Sequence, residues 1–318
     1  MRALQGVIPI LATPFHDDES LDLESWQTLI EFMSQLDIDG ITILGVLGES
    51  NRLNDHERQT LIKRAVQSVN GRMPVVVGTS HSGTEAARYL SQMAQDLGAD
   101  AVMVMPAKEA VPNDDRTVET YQRIASGLDI AVVLQDHPAS SEVHFSVPLM
   151  LRLLREVPAI QCIKEEAVPT APKIQQLRDG LGERKVPILT GLGALYAPFD
   201  LAAGSDGFNT GFAFPEVLRA LLDAARANDW QCVHDVYARF APLIVFEQQP
   251  GVAIRKEILR RRGLMASARA RHPGATISRP VAQQLDALLA RTLPGTDITR
   301  PIPASAIAPA CAAAKSSP

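Results

Sequence analysis

The chain has 318 residues, a net charge of −5, 46% hydrophobic residues and 21% charged residues, an ordinary globular balance. The charge gives no basic footprint for nucleic acid, no apolar run is long enough to span a membrane, and the N-terminus lacks a signal-peptide pattern. Three widely spaced cysteines, Cys162, Cys232 and Cys311, form neither a disulfide framework nor a zinc spacing, so a reducing cytoplasm is the expected setting.

Short apolar runs rich in Val and Ile alternate with amphipathic helical patterns. Val7–Thr13 reads as the first strand, followed by a helix over Leu23–Leu36 with apolar residues at Leu29, Ile30, Met33 and Leu36. Strand Gly40–Val46 precedes helix Asn54–Val69, Pro74–Thr79 precedes Thr84–Leu97, and Ala101–Pro106 precedes Thr117–Leu128. The second half repeats the alternation: Ile130–Gln135 with Val147–Val157, Ala159–Lys164 with Ala171–Leu181, Val186–Thr190 with Leu195–Ala203, and Gly207–Gly211 with Pro215–Ala227. Gly98, Gly180 and Gly204 sit where helix C-caps are expected. Eight βα units in one register predict a closed (β/α)₈ TIM barrel over residues 1–229, of the usual size of about 250 residues. An open doubly wound sheet has fewer strands and a dinucleotide fingerprint, and no Gly-x-Gly-x-x-Gly follows the first strand.

Residues 230–295 read as a C-terminal helical extension, with helices Trp230–Phe246, Val252–Arg262 and Val281–Leu293. Arg260, Arg261 and Arg262 read as a solvated helix end. Residues 296–318 are rich in Pro, Ala and Ser and are expected to be disordered.

In a barrel, chemistry sits at the C-terminal ends of the strands. The second strand runs into Gly45-Val46-Leu47-Gly48-Glu49, the fifth ends at Gln135-Asp136-His137-Pro138, the sixth at Lys164-Glu165-Glu166, the seventh at Thr190-Gly191-Leu192-Gly193 and the eighth at Asn209-Thr210-Gly211. Lys164 is the most informative of these. A lysine closing a buried strand loses its proton easily and becomes a nucleophile able to form a Schiff base; one that snorkels to solvent does not. Side chains alternate along a strand, so Cys162, Lys164 and Glu166 share one face while Ile163 and Glu165 share the other. Glu166 can then tune the amine or move protons, or merely pair with it. His81 and His137 lie at strand ends, where each is either a substrate contact or a structural hydrogen bond. Gly191-Leu192-Gly193 can cradle an anion or serve close packing. No histidine spacing suits a metal.

Thr13-Pro14-Phe15, the Gly45-x-x-Gly48-Glu49 turn, Pro138 and Ile163-Lys164-Glu165 stand in order at the right strand ends. Over about residues 5–295 the chain resembles the dihydrodipicolinate synthase and N-acetylneuraminate lyase family of Schiff-base-forming lyases. The resemblance makes Lys164 the imine lysine. It implies a small 2-oxo acid as substrate, no cofactor, no metal, no nucleic-acid or membrane partner, and a homo-oligomer, dimer or tetramer.

The departures are equally specific. The family turn reads Gly-Thr-Thr-Gly-Glu, and here the hydroxyls give way to Val46 and Leu47, leaving the backbone amides of Leu47 and Gly48 for a carboxylate. Gln135 replaces the strand-five tyrosine, Ala107 or Lys108 another tyrosine, and Ser140 the arginine of the following loop. Glutamine cannot act as an acid or base near neutral pH. The expected catalytic residues are therefore Lys164, Glu166 and Gln135, and the expected substrate contacts Val46, Leu47, Gly48, His137, Gly191 and Thr210. The expected reaction is aldol cleavage or condensation, or dehydration, for instance of a 2-keto-3-deoxy sugar acid. Dihydrodipicolinate synthase proper and a silent barrel that only binds a 2-oxo acid are the alternatives.

Overall fold

A computed structural model of the chain describes residues 4–249 and 251–308. Eight strands are present: β1 (Gly6–Val7), β2 (Ile41–Ile43), β3 (Val75–Gly78), β4 (Ala101–Val104), β5 (Ala131–Asp136), β6 (Ile160–Glu165), β7 (Ile188–Thr190) and β8 (Gly207–Phe208). They form one parallel sheet in the order β1-β8-β7-β6-β5-β4-β3-β2. A parallel bridge between Ile10 and Thr42 joins the two ends, which closes the TIM barrel.

The first and last strands are shorter than the apolar runs suggest. Pro9 has no amide hydrogen to offer a ladder, so regular pairing stops at Val7. The chain still tracks its neighbours beyond it: the amides of Ile8 and Ile10 donate to Phe208 and Thr210, and Thr42 donates to the Pro9 carbonyl.

Alternation sorts the side chains into two cores. Ile8, Val76, Ala101, Met103, Ala131, Val133, Cys162 and Leu189 pack together inside the barrel. Val77, Val102, Leu134, Ile163 and Ile188 face the surrounding helices. The helix starts carry side-chain caps that satisfy otherwise unpaired amides: Asn54 and Glu57 make a reciprocal capping box, and Asn113 caps Asp114–Ala125. That cap starts the helix three positions before the predicted Thr117, because the acidic first turn hides the start from a purely apolar pattern.

The C-terminal extension contains helices Trp230–Glu247, Ala253–Arg261, Arg279–Thr292 and a final short one, Ala304–Ile307. Two expectations fail here. Arg262 is not a solvated helix end: it is fully buried, its guanidinium pairs with Glu216 at 2.6 Å, donates to the Ala213 carbonyl at 2.6 Å, and stacks on Phe32 and Phe214. Nor is the segment from residue 296 to residue 308 disordered. Ile302 and Ile307 are buried, and Arg239 donates to the carbonyls of Ala306 and Ile307 at 2.8 Å. Two isoleucines and a docked arginine supply the burial that the Ala/Pro/Ser composition conceals. Residues 309–318, the rest of the expected tail, lie outside the described residues.

Among the described residues no helix is long and apolar enough to cross a membrane, and no cluster of His, Cys, Asp or Glu could hold a metal ion. A cavity of about 810 Å³ opens at the N-terminal end of the barrel, beside Gln161 and Asp206. It lies at the opposite end of the strands from Lys164.

Candidate active site

Pairing of β5 with β6 sets Gln135 beside Lys164, both pointing into the barrel. Glu166, two residues past Lys164, emerges on the same side. Its carboxylate lies 3.2 Å from Lys164 Nζ, accepts a hydrogen bond from Gln135 Nε2 at 2.8 Å and another from the Leu192 amide at 3.2 Å. Lys164 is 2% exposed and Glu166 6%.

Gly191 makes this position possible, because a Cβ there would strike the Glu166 carboxylate. The turn that follows holds three consecutive left-handed residues, Leu192, Gly193 and Ala194. For Leu192 and Ala194 that conformation is strained, and the strain aims the Leu192 amide at Glu166. Of the three amides of the Gly191-Leu192-Gly193 turn, only that of Leu192 meets the Glu166 carboxylate, while that of Gly191 donates to the Glu165 carbonyl. Gly193 donates to Thr210 Oγ1 at 2.7 Å, which ties the ends of β7 and β8 together.

Burying two ions costs several kcal/mol each. Their attraction at 3.2 Å returns about 5 kcal/mol at an effective dielectric near 20. The attraction does not fully offset the desolvation, so the lysine proton is held less firmly than that of an exposed lysine. Burial pulls the Lys164 pKa below its ordinary value, Glu166 opposes the shift, and the nearby Arg255 guanidinium reinforces it. Burial pushes Glu166 up, but the charges of Lys164 and His137 and the hydrogen bonds from Gln135 and Leu192 outweigh it and hold the carboxyl below its ordinary range. His137 is partly buried, and burial lowers its pKa against the attraction of Glu166. Its Nδ1 has no partner among the described residues.

The other expected residues are distributed less simply. Val46 is 45% exposed. The Leu47 side chain lies against Gly211 at the end of the eighth strand. The Gly48 amide is already spent on the Gly45 carbonyl at 3.0 Å, so it is not open to a carboxylate as expected. Ser140 and His81 are exposed, and His81 Nδ1 accepts from the Gly83 amide. Glu49 and Glu165, the acidic members of the two motifs, do not reach Lys164. Glu49 is buried between Lys256 at 2.5 Å and Arg52 at 2.5 Å, locking the turn after β2 to the C-terminal helices. Glu165 faces outward beside Asp136 and Lys173. Burial and the Asp136 charge push its pKa up to about 9.

Two residues at the mouth escape a reading of the strands alone. Arg255, from helix Ala253–Arg261, is 3% exposed, and its Nη1 lies 3.2 Å from where a Cβ of Gly211 would stand. Gln248 packs over Gly193 and leaves its Nε2 buried without a partner among the described residues. The legible signal was the spacing Arg255–Ile258–Arg262, which puts two arginines on the apolar face of one helix.

A family model described as the dihydrodipicolinate synthetase family matches residues 3–292. An L-2-keto-3-deoxyarabonate dehydratase of Azospirillum brasilense is 34% identical over 274 residues, covering 85% of this chain and 88% of that protein. A 4-hydroxy-tetrahydrodipicolinate synthase of Methanoculleus marisnigri is 31% identical, covering 76% of this chain and 82% of that one. Among solved structures, dihydrodipicolinate synthase from Rhodopseudomonas palustris superposes with a TM-score of 0.86 at 31% identity, covering 90% of this chain and 97% of its own.

Proposed function

The chain belongs to the dihydrodipicolinate synthetase family, and from that premise we propose that it dehydrates a 2-keto-3-deoxy sugar acid through an imine on Lys164. The observation that carries the reading is the Lys164–Glu166 contact at 3.2 Å, with the carboxylate fixed by Gln135 where the family has a tyrosine.

Neutral Lys164 adds to the C2 ketone, and the carbinolamine loses water to give a protonated imine. The positive charge stays beside Glu166, so the carboxylate remains ionised and able to act as a base. It takes a proton from C3, and the C–H electron pair runs into the imine to form a neutral enamine. The enamine then expels the C4 hydroxyl, which leaves as water with the proton that Glu166 returns. Water hydrolyses the resulting unsaturated imine, frees the product and restores the amine. One carboxyl serves both proton transfers, a task glutamine cannot share.

The 34% identical relative from Azospirillum brasilense, an L-2-keto-3-deoxyarabonate dehydratase, supports this choice of reaction. The loss of the tyrosines, of the turn hydroxyls and of the loop arginine argues against dihydrodipicolinate synthase activity proper. The test is to supply 2-keto-3-deoxypentonates and hexonates and analyse products by mass. Loss of one water without pyruvate release is expected. Release of pyruvate would make the enzyme an aldolase, and no turnover of any such acid, with imine formation intact, would favour a binding protein.

A further inference from the structure

We propose that Arg255, carried on a helix outside the eight βα units, grips the carboxylate of the 2-oxo acid while the ketone carbon is joined to Lys164. The inference rests on the imine reading above and adds the residue that recognises the acid.

The first argument is placement of charge. Once C2 is bonded to Nζ, the C1 carboxylate must lie within a bond or two of the nitrogen. Glu166 fills the side of Lys164 that faces the ends of β5 and β7, bonded to Gln135 and Leu192. A second carboxylate is repelled from that side and turns toward β8 and β2. The Arg255 Nη1 stands there, 3.2 Å from the Cβ position of Gly211, sharing the space with the Leu47 side chain.

The second argument is the state of the guanidinium. Glu247 holds it from behind through Nε at 2.8 Å. Glu247 is itself fixed by the Ala213 amide at 3.1 Å. Among the described residues the two terminal nitrogens of Arg255 have no hydrogen-bond partner, and they are not among the fully buried unpaired atoms, so that edge of the guanidinium is open to the mouth. That open edge is a planar fork, the shape that binds a carboxylate through two parallel bonds. The guanidinium also lies near enough to Lys164 to lower its affinity for a proton.

The third argument is elimination among donors. Val46 and Leu47 bring no hydroxyl, the Gly48 amide is bonded to Gly45, and Ser140 is exposed, while the Leu47 amide and Gln248 Nε2 remain only as neutral donors, weaker partners for a carboxylate than a guanidinium. Lys256, the neighbouring buried cation, is already paired with Glu49.

The experiment is borohydride trapping, read by intact mass, across a concentration series of pyruvate and of hydroxyacetone, a ketone of similar size without the carboxylate. Wild type is compared with Arg255→Lys and with the double variant Arg255→Gln/Glu247→Gln. The double variant removes both members of the buried pair, so no unpaired charge is left to unfold the chain. Melting curves confirm that each protein is folded, and the double variant carries the test if the single one is not. The pyruvate concentration for half-maximal trapping is expected to rise about 10²-fold or more in both variants, in the range for loss of a buried charge-assisted contact. The half-maximal hydroxyacetone concentration is expected to change far less than that for pyruvate, any change common to both ketones reporting the lost effect of the guanidinium on Lys164. An unchanged pyruvate series, or equal weakening with both ketones, overturns the assignment and leaves Arg255 a structural partner of Glu247. Failure of the wild type to trap either ketone overturns the imine reading, and the Arg255 assignment with it.

Discussion

Glu166 Oε2 sits 3.2 Å from Lys164 Nζ and 2.8 Å from Gln135 Nε2. One carboxylate oxygen thus bridges the nucleophile and the residue standing where the family has its phenol. On the proposed mechanism the proton chemistry of this site moves from strand five to the end of strand six.

Glu166→Gln keeps the shape and removes the titrating group. Turnover of the true substrate should fall about 10²-fold or more, the range of general acid–base effects, while trapping of pyruvate on Lys164 persists. A variant that turns over normally would make Glu166 only a charge partner and His137 the next candidate.

Gln135 donates to Glu166 and helps hold its pKa down. Gln135→Met fills similar space without the donor. The acid limb of the kcat/KM profile, where Glu166 becomes protonated, should move to higher pH. An unmoved limb, or one shifted downward, would show that the hydrogen bond does not tune the base.

Glu165 gives a stability prediction of known sign. Its folded pKa, about 9, lies above the ordinary glutamate value of about 4.3, so the folded state keeps a proton that the unfolded chain releases. Stability from this group is therefore fully present below about pH 4 and declines as pH rises toward about 9. Asp136 and Lys173 share the site and titrate with it. Glu165→Gln mimics the protonated form, so its melting temperature should fall less than that of wild type over the same range. Parallel curves would contradict the assignment.

The end of the described chain should matter for stability. Ile307 is 1% exposed, and Ile307→Ala should cost about 2–5 kcal/mol, as large-to-small core changes do. A truncation before Pro303 should lower the melting temperature by several degrees or more, because it also removes the carbonyls that Arg239 binds. An unchanged melting temperature would show that this docking is energetically empty.

The eight strands were legible because each is a short Val- and Ile-rich run, and strand alternation alone placed Glu166 over Lys164 and Ile163 in the outer core. Gln135 was legible as a neighbour of Lys164 once the strand ends were aligned. Arg255 and Arg262 were not, because a helix rich in arginine reads as a solvated face unless their seven-residue spacing is set against Ile258. Glu49 and Glu165 were legible as motif members but not as structural ions, since only the folded chain brings Lys256, Arg52, Asp136 and Lys173 to them. The tail was misread because two isoleucines are a small signal within an Ala/Pro/Ser composition.

The most direct measurement is reductive trapping with pyruvate and borohydride, followed by peptide mapping. A stable adduct on the peptide containing Lys164, absent from Lys164→Ala, is predicted. An adduct on another lysine, or undiminished labelling of Lys164→Ala, would contradict the mechanism at its first step.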